Sequence, residues 1–168
     1  MKRHLLVITI IFLLVNLFGC SENTITNTPD LNDNDLEFKF SYTYGSNKRH
    51  TIDTHDDSFV VYDSLTSSSK TIKIKLTDQD MKDILDKMTE IDILSYPITF
   101  KEQGILVFDA HQEFKIEISA GGNTKSIYWN DKFRSDSAKA IQLRELFHLI
   151  QSIINAKSEF KNQFSTPK

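Results

Sequence analysis

His50-Thr51-Ile52-Asp53-Thr54-His55-Asp56-Asp57 is the densest collection of metal-ligating side chains in this sequence. On an extended strand, residues two apart share a face, so Asp53, His55 and Asp57 would converge. One imidazole among carboxylates suits a divalent ion, and the matching chemistry is metal-assisted hydrolysis. The spacing belongs to no established ligand motif, however, and exposed His and Asp are routine at polar strand edges. The sequence therefore assigns no metal, no cofactor and no catalytic residue here, and the chain reads as a non-enzyme. Asp109-Ala110-His111 would extend such a site only if the fold brought it near. Other chemistries have less to stand on. Ser67-Ser68-Ser69 lies in a polar break without a Gly-x-Ser-x-Gly elbow. Glu90, Asp92, Glu102 and Glu113 stand among lysines on segments that read as solvent-facing rather than as an acid–base pair. Gly121-Gly122 lacks the Lys-Ser or Lys-Thr of a phosphate loop and is accounted for by a turn.

The remaining reactive group is a thiol. Cys20 is the only cysteine, and it follows Lys2-Arg3, an apolar stretch from Leu5 to Phe18 broken by Thr9 and Asn16, and the small Gly19. A basic start, an apolar middle and a small residue before the cut are the parts of an export signal. The apolar stretch is about 14 residues, short of the roughly 20 that span a bilayer, so it reads as a removed segment. Its positive start holds the amino end on the cytoplasmic side. Leu17-Phe18-Gly19-Cys20 resembles the lipobox of bacterial lipoproteins, departing from it at Phe18, which is bulkier than the Ala, Ser, Thr or Val usual there. The resemblance implies that residues 1–19 are a signal peptide and that Cys20 becomes a diacylglyceryl cysteine. Palmitate-type chains on Cys20 would then hold the protein on the extracytoplasmic face of the cell membrane. Each buried methylene contributes about 0.8 kcal/mol, so two or three chains anchor stably where one does not. With the thiol so used, no disulfide is open to the fold, although the exported compartment would permit one.

Charge narrows the partners. The chain carries 20 basic and 23 acidic residues, a net charge of −3, and the leader holds two of the basic ones, so the mature chain would carry 18 basic and 23 acidic residues, a net charge of −5. A mildly acidic domain without a basic stripe does not suit nucleic acid or anionic lipid. Membrane attachment would fall to the lipid. Residues 20–35 are rich in Ser, Asn, Thr and Asp and read as a lipidated, disordered tether. Residues 36–160 suit one domain able to bury its own core, and residues 161–168 read as a frayed tail.

Within that domain, Leu36, Phe38, Phe40, Tyr42 and Tyr44 alternate with polar residues, the two-residue period of a half-buried strand. Gly45-Ser46-Asn47 turns the chain into a second extended segment, irregular at 53–57 and firmer at Phe59-Val60-Val61-Tyr62. A third strand is expected where Ile72, Ile74 and Leu76 alternate with lysines. Thr77-Asp78-Gln79-Asp80 is a capping sequence, and Met81, Ile84, Leu85, Met88 and Ile91 then form one helical stripe that should end near Asp92, ahead of Pro97. Phe114, Ile116 and Ile118 alternate up to a hairpin at Ala120 to Asn123, and Lys125 to Trp129 returns. Ser135 or Ser137 can cap a last helix whose apolar face holds Ile141, Leu143, Leu146, Phe147, Ile150, Ile153 and Ile154. The order βββ-α-ββ-α predicts an α+β single domain: an antiparallel sheet of about five strands with two helices packed on one face.

From Lys75 onward the chain resembles uncharacterised lipoproteins and exported proteins of low-GC Gram-positive bacteria. The resemblance rests on Leu76-Thr77, Ser95-Tyr96-Pro97, Ile127-Tyr128-Trp129-Asn130-Asp131 and Leu143-Arg144-Glu145-Leu146. It implies the same compartment and fold, and it carries no activity with it. The favoured expectation is a lipid-anchored, non-enzymatic interaction domain with an envelope or exported protein as partner. Hydrolysis at His50 to Asp57 is one alternative. Another is a small solute- or glycan-binding module, with Tyr42, Tyr44, Tyr62, Tyr128 and Trp129 as an aromatic patch on an uncovered sheet face.

Overall fold

A computed structural model describes residues 36–44, 48–101, 103–106, 112–120 and 122–164. Alternation of apolar and polar residues makes β1 (Glu37–Tyr44), and the same period makes the hairpin of β7 (Glu113–Ala120) and β8 (Asn123–Asn130). These three pair antiparallel in the middle of one sheet, Phe40 opposite Ile116 and Ile116 opposite Ile127. β2 (Lys48–Asp53), β3 (Ser58–Asp63) and β4 (Ser68–Lys73) extend it beyond β1, and β5 (Thr99–Phe100) closes the other side against β8. The strand order is β4-β3-β2-β1-β7-β8-β5. β6 (Ile105–Leu106) and β9 (Phe133–Arg134) form a separate two-stranded ribbon.

Every core strand buries one parity of residue. Phe38, Phe40, Tyr42, Ile52, Phe59, Phe114, Ile116, Ile118, Ile127 and Trp129 all point to the same side and are buried. Two helices cover that side. α1 (Asp78–Glu90) contributes Ile84, Leu85 and Met88, and α2 (Ala138–Ala156) contributes Ala140, Leu143, Leu146, Phe147, Ile150 and Ile154. Phe147 lies at the centre, its ring 4.6 Å from Phe114 and 5.0 Å from Phe40. A third helix, α3 (Ser158–Phe164), turns back over the sheet and sets Phe160 edge-on to Phe59 at 5.5 Å.

The α+β class and the one-sided helical cover follow the expectation, and several details differ. The sheet has seven strands rather than about five. The irregular segment resolves into the end of β2 at Asp53 and a tight turn at 54–57, Asp57 adopting a left-handed φ of 49°, so what read as one loose segment is the hairpin β2-β3. The third expected strand lies earlier: β4 is a polar edge strand, while Ile74 and Leu76 leave the ladder and drop into the core ahead of α1. The sheet is not purely antiparallel, because β5 runs parallel to β8, Thr99 beside Tyr128 and Phe100 beside Trp129. Helix also continues into the expected frayed tail as far as Phe164. Within α2, Ile141 is 42% exposed and not part of the buried face.

Candidate functional site

Strand geometry divides the His50 to Asp57 cluster. His50 and Ile52 face the helices, whereas Thr51 and Asp53 face away, because an odd separation along a strand reverses the side. His50 is buried: its Nδ1 lies 3.0 Å from the Tyr42 hydroxyl, and its ring stands edge-on to Tyr42 and Phe59 at 5.0 and 5.5 Å. Burial, helped by the positive charge of Lys48, lowers the His50 pKa from 6.5 to about 4. The ring is therefore neutral near pH 7.

On the other face, the Lys39 ammonium donates to Asp53 at 2.9 Å. His55 sits in the exposed β2-β3 turn, where its amide donates to Asp53 Oδ1 at 3.2 Å and its Nδ1 lies 2.9 Å from Glu37 Oε1. Glu37 raises the pKa of His55, first through that hydrogen bond and then through its charge. Asp57 contributes its backbone carbonyl to the Ile74 amide. Among the described residues, no group of three or more His, Cys, Asp or Glu is arranged to hold a metal ion. Asp53 and His55 do come together, as ion-pairing residues around a shallow concavity with Glu37, Lys39 and Glu117. His50, Asp53, His55 and Asp57 do not converge on one point.

The other candidates separate in the same way. Glu90 pairs with Lys87 at 3.0 Å, and Glu113 accepts from the Asn130 amide at 3.1 Å, so the two serve different elements. Asp92 is a left-handed turn residue with φ 50°, and Gly122, with φ 77°, makes the β7-β8 turn that a glycine permits. Ser67 is likewise left-handed, in the β3-β4 turn. Cys20, the residues before it, Glu102 and Asp109-Ala110-His111 lie outside the described residues. The expected aromatic patch is corrected, because Tyr42 and Trp129 are core residues at 5% and 1% exposure. Tyr62 and Tyr128 are exposed, but β2, β1 and β7 stand between their strands, a separation of roughly 19 Å at normal strand spacing. The Tyr44 side chain lies outside the described part.

Several residues that carry the sequence resemblance turn out to be fasteners of the fold. Arg144 on α2 donates twice to Asp131, at 2.9 and 3.0 Å, and once to the Ser135 carbonyl at 2.7 Å, with its guanidinium 5.2 Å from the centre of the Trp129 ring. Tyr96 is buried and donates its hydroxyl to the Lys139 carbonyl at 3.0 Å, tying the segment before Pro97 to the start of α2. Thr77 caps α1. Its Oγ1 accepts from the Asp80 amide at 3.2 Å, and the Asp80 carboxylate accepts from the Thr77 amide at 2.7 Å. Sequence reasoning found the cap but not the partner across space, Lys157 at the end of α2, which also donates to Asp80.

Among the described residues, two further cavities are places where a ligand or partner would fit. One, of about 360 Å³, lies at the β5-β8 edge between Thr99, Phe100, Lys101, Tyr128, Asn130, Lys132 and Phe133. Tyr128 and Phe133 are 37% and 46% exposed beside it. The other, of about 390 Å³, opens over Tyr42 and His50 between the sheet and the far end of α2. Sequence reasoning found neither, because each draws residues from distant segments. No protein-family model matches this chain, and no curated protein matches it.

Proposed function

We propose that this protein is a lipid-anchored extracytoplasmic domain, held at the outer face of the cell membrane through Cys20, that acts by non-enzymatic contact with an envelope or exported protein. The observation that carries the contact reading is the pair Tyr128 and Phe133 beside the cleft at the β5-β8 edge. Protein interfaces draw their energy from a few aromatic anchors seated among polar residues, and Thr99, Lys101, Asn130 and Lys132 supply such a rim. Elsewhere on the uncovered sheet face some charges pair with one another, as in Lys39 with Asp53 and Lys115 with Glu117 at 2.9 and 2.8 Å, which leaves less unspent charge there for a partner.

A photo-crosslinking amino acid placed at Tyr128 or Phe133 in intact cells should give a discrete protein adduct, whereas the same group at Lys82, exposed on α1, should give none. Cys20→Ala should move the protein out of the membrane fraction. Equal labelling from Lys82, or no adduct from either aromatic position, would count against the contact surface. An unmodified Cys20 or an intact Met1 in the mass of the mature protein would overturn the anchor.

A further inference from the structure

We propose that the cleft over Tyr42 and His50 is a binding site for a neutral, hydroxyl-rich ligand of one or two sugar rings. Five elements and one residue outside them build it. Tyr42 and His50 come from β1 and β2, Gln151 and Asn155 from the last turns of α2, and Gln112 from the residue before β7, with Lys48 at the rim. Val61 and Phe160 complete the lining with apolar surface. Gln151 and Asn155 are four residues apart, so their amides stand one above the other on the same side of the helix.

The composition of this lining selects the ligand. A primary amide both donates and accepts, as does a hydroxyl, so three amides together with a phenol and an imidazole match a polyol better than any ion. Among the described residues, no carboxylate lines the cleft, which gives a cation nothing there to pair with. The single ammonium among the described lining residues, Lys48, is too little for a nucleotide's phosphates, which call for several cations or a cradle of backbone amides. The volume of about 390 Å³ falls near the lower end of the roughly 300–1,000 Å³ usual for small-molecule pockets, which limits the ligand to one or two rings. The site is separate from the edge at Tyr128 and Phe133, since it lies over β1 to β3 while the aromatic pair belongs to the β5 side of the sheet.

The test is a titration of the ¹⁵N-labelled full-length protein in detergent micelles with N,N′-diacetylchitobiose and, separately, with cellobiose, followed by amide chemical shifts. Saturable binding of at least one sugar is expected, weakened about tenfold in Asn155→Ala or Gln151→Ala, the loss of one or two neutral hydrogen bonds. Both positions are at least partly exposed, so the variants should fold normally. Absence of saturable binding by either sugar would overturn the assignment. So would saturable binding that neither substitution weakens.

Discussion

The imidazole of His50 is surrounded by Tyr42 and Phe59 on the covered side of the sheet, and burial followed by the Lys48 charge brings its pKa from 6.5 to about 4. The unfolded chain takes up a proton near pH 6.5 that the folded protein refuses until about pH 4. Between those values the unfolded state binds more protons, so stability rises with pH across the window and falls as the solution is acidified. The penalty is absent above pH 6.5 and complete below pH 4. At about 1.4 kcal/mol per pH unit, reduced for residual solvent contact, it amounts to about 2–3 kcal/mol. His50→Gln keeps a polar group near the Tyr42 hydroxyl but removes the titration, so its urea midpoint should drop less than the wild type's between pH 7 and 4.5. Equal drops would refute the assignment. Same-face reasoning in the sequence joined Asp53, His55 and Asp57, and it stopped applying past Asp53 because the turn at 54–57 ends the alternation. His50, an odd number of residues from Asp53, faces the other side of the sheet.

At the scale of elements, the strongest local signals were the reliable ones. β1, the β7-β8 hairpin, α1 and α2 could be read directly because a long run of one period leaves only one face to bury. Thr77 is a case in which local sequence also fixed the energetics. The reciprocal hydrogen bonds between Thr77 and Asp80 satisfy amides that the first turn of α1 would otherwise leave free. Burial pulls the Asp80 carboxyl up, but hydrogen bonds from Lys157 and Thr77 outweigh it and hold its pKa below the usual carboxylate value. Thr77→Ala should therefore cost about 1 kcal/mol in urea unfolding at pH 7, and Thr77→Ser should restore most of it. A neutral Thr77→Ala would mean that the cap is redundant with the Lys157 contact. β4 and β5 could not be read in this way. β4 is polar for most of its length and owes its place to pairing with β3, and β5 is two residues long with no period to detect.

For the whole molecule, stability rests on one apolar layer between the sheet and α1 with α2, and Phe147 is its centre. The ring is fully buried between Phe114 and Phe40, with Trp129 at 6.3 Å, so little around it can move inward to fill a void. Phe147→Ala should cost about 3–5 kcal/mol, enough to unfold a marginal domain, while Ile141→Ala on the exposed side of the same helix should cost far less. Comparable losses from both would show that Phe147 does not hold the core. Sequence by itself determined the class of fold, the composition of the buried layer and the two helices that cover it, because hydrophobic period and capping are local properties that dictate which face is withdrawn from water. The proposed lipid anchor at Cys20 likewise rests on consecutive residues alone. Only the tertiary structure decided the order of the seven strands, the meeting of Arg144 with Asp131 and Trp129, and the two cavities. Each of these depends on residues far apart in the chain, and local periodicity says which way a side chain faces but not which distant segment it will meet.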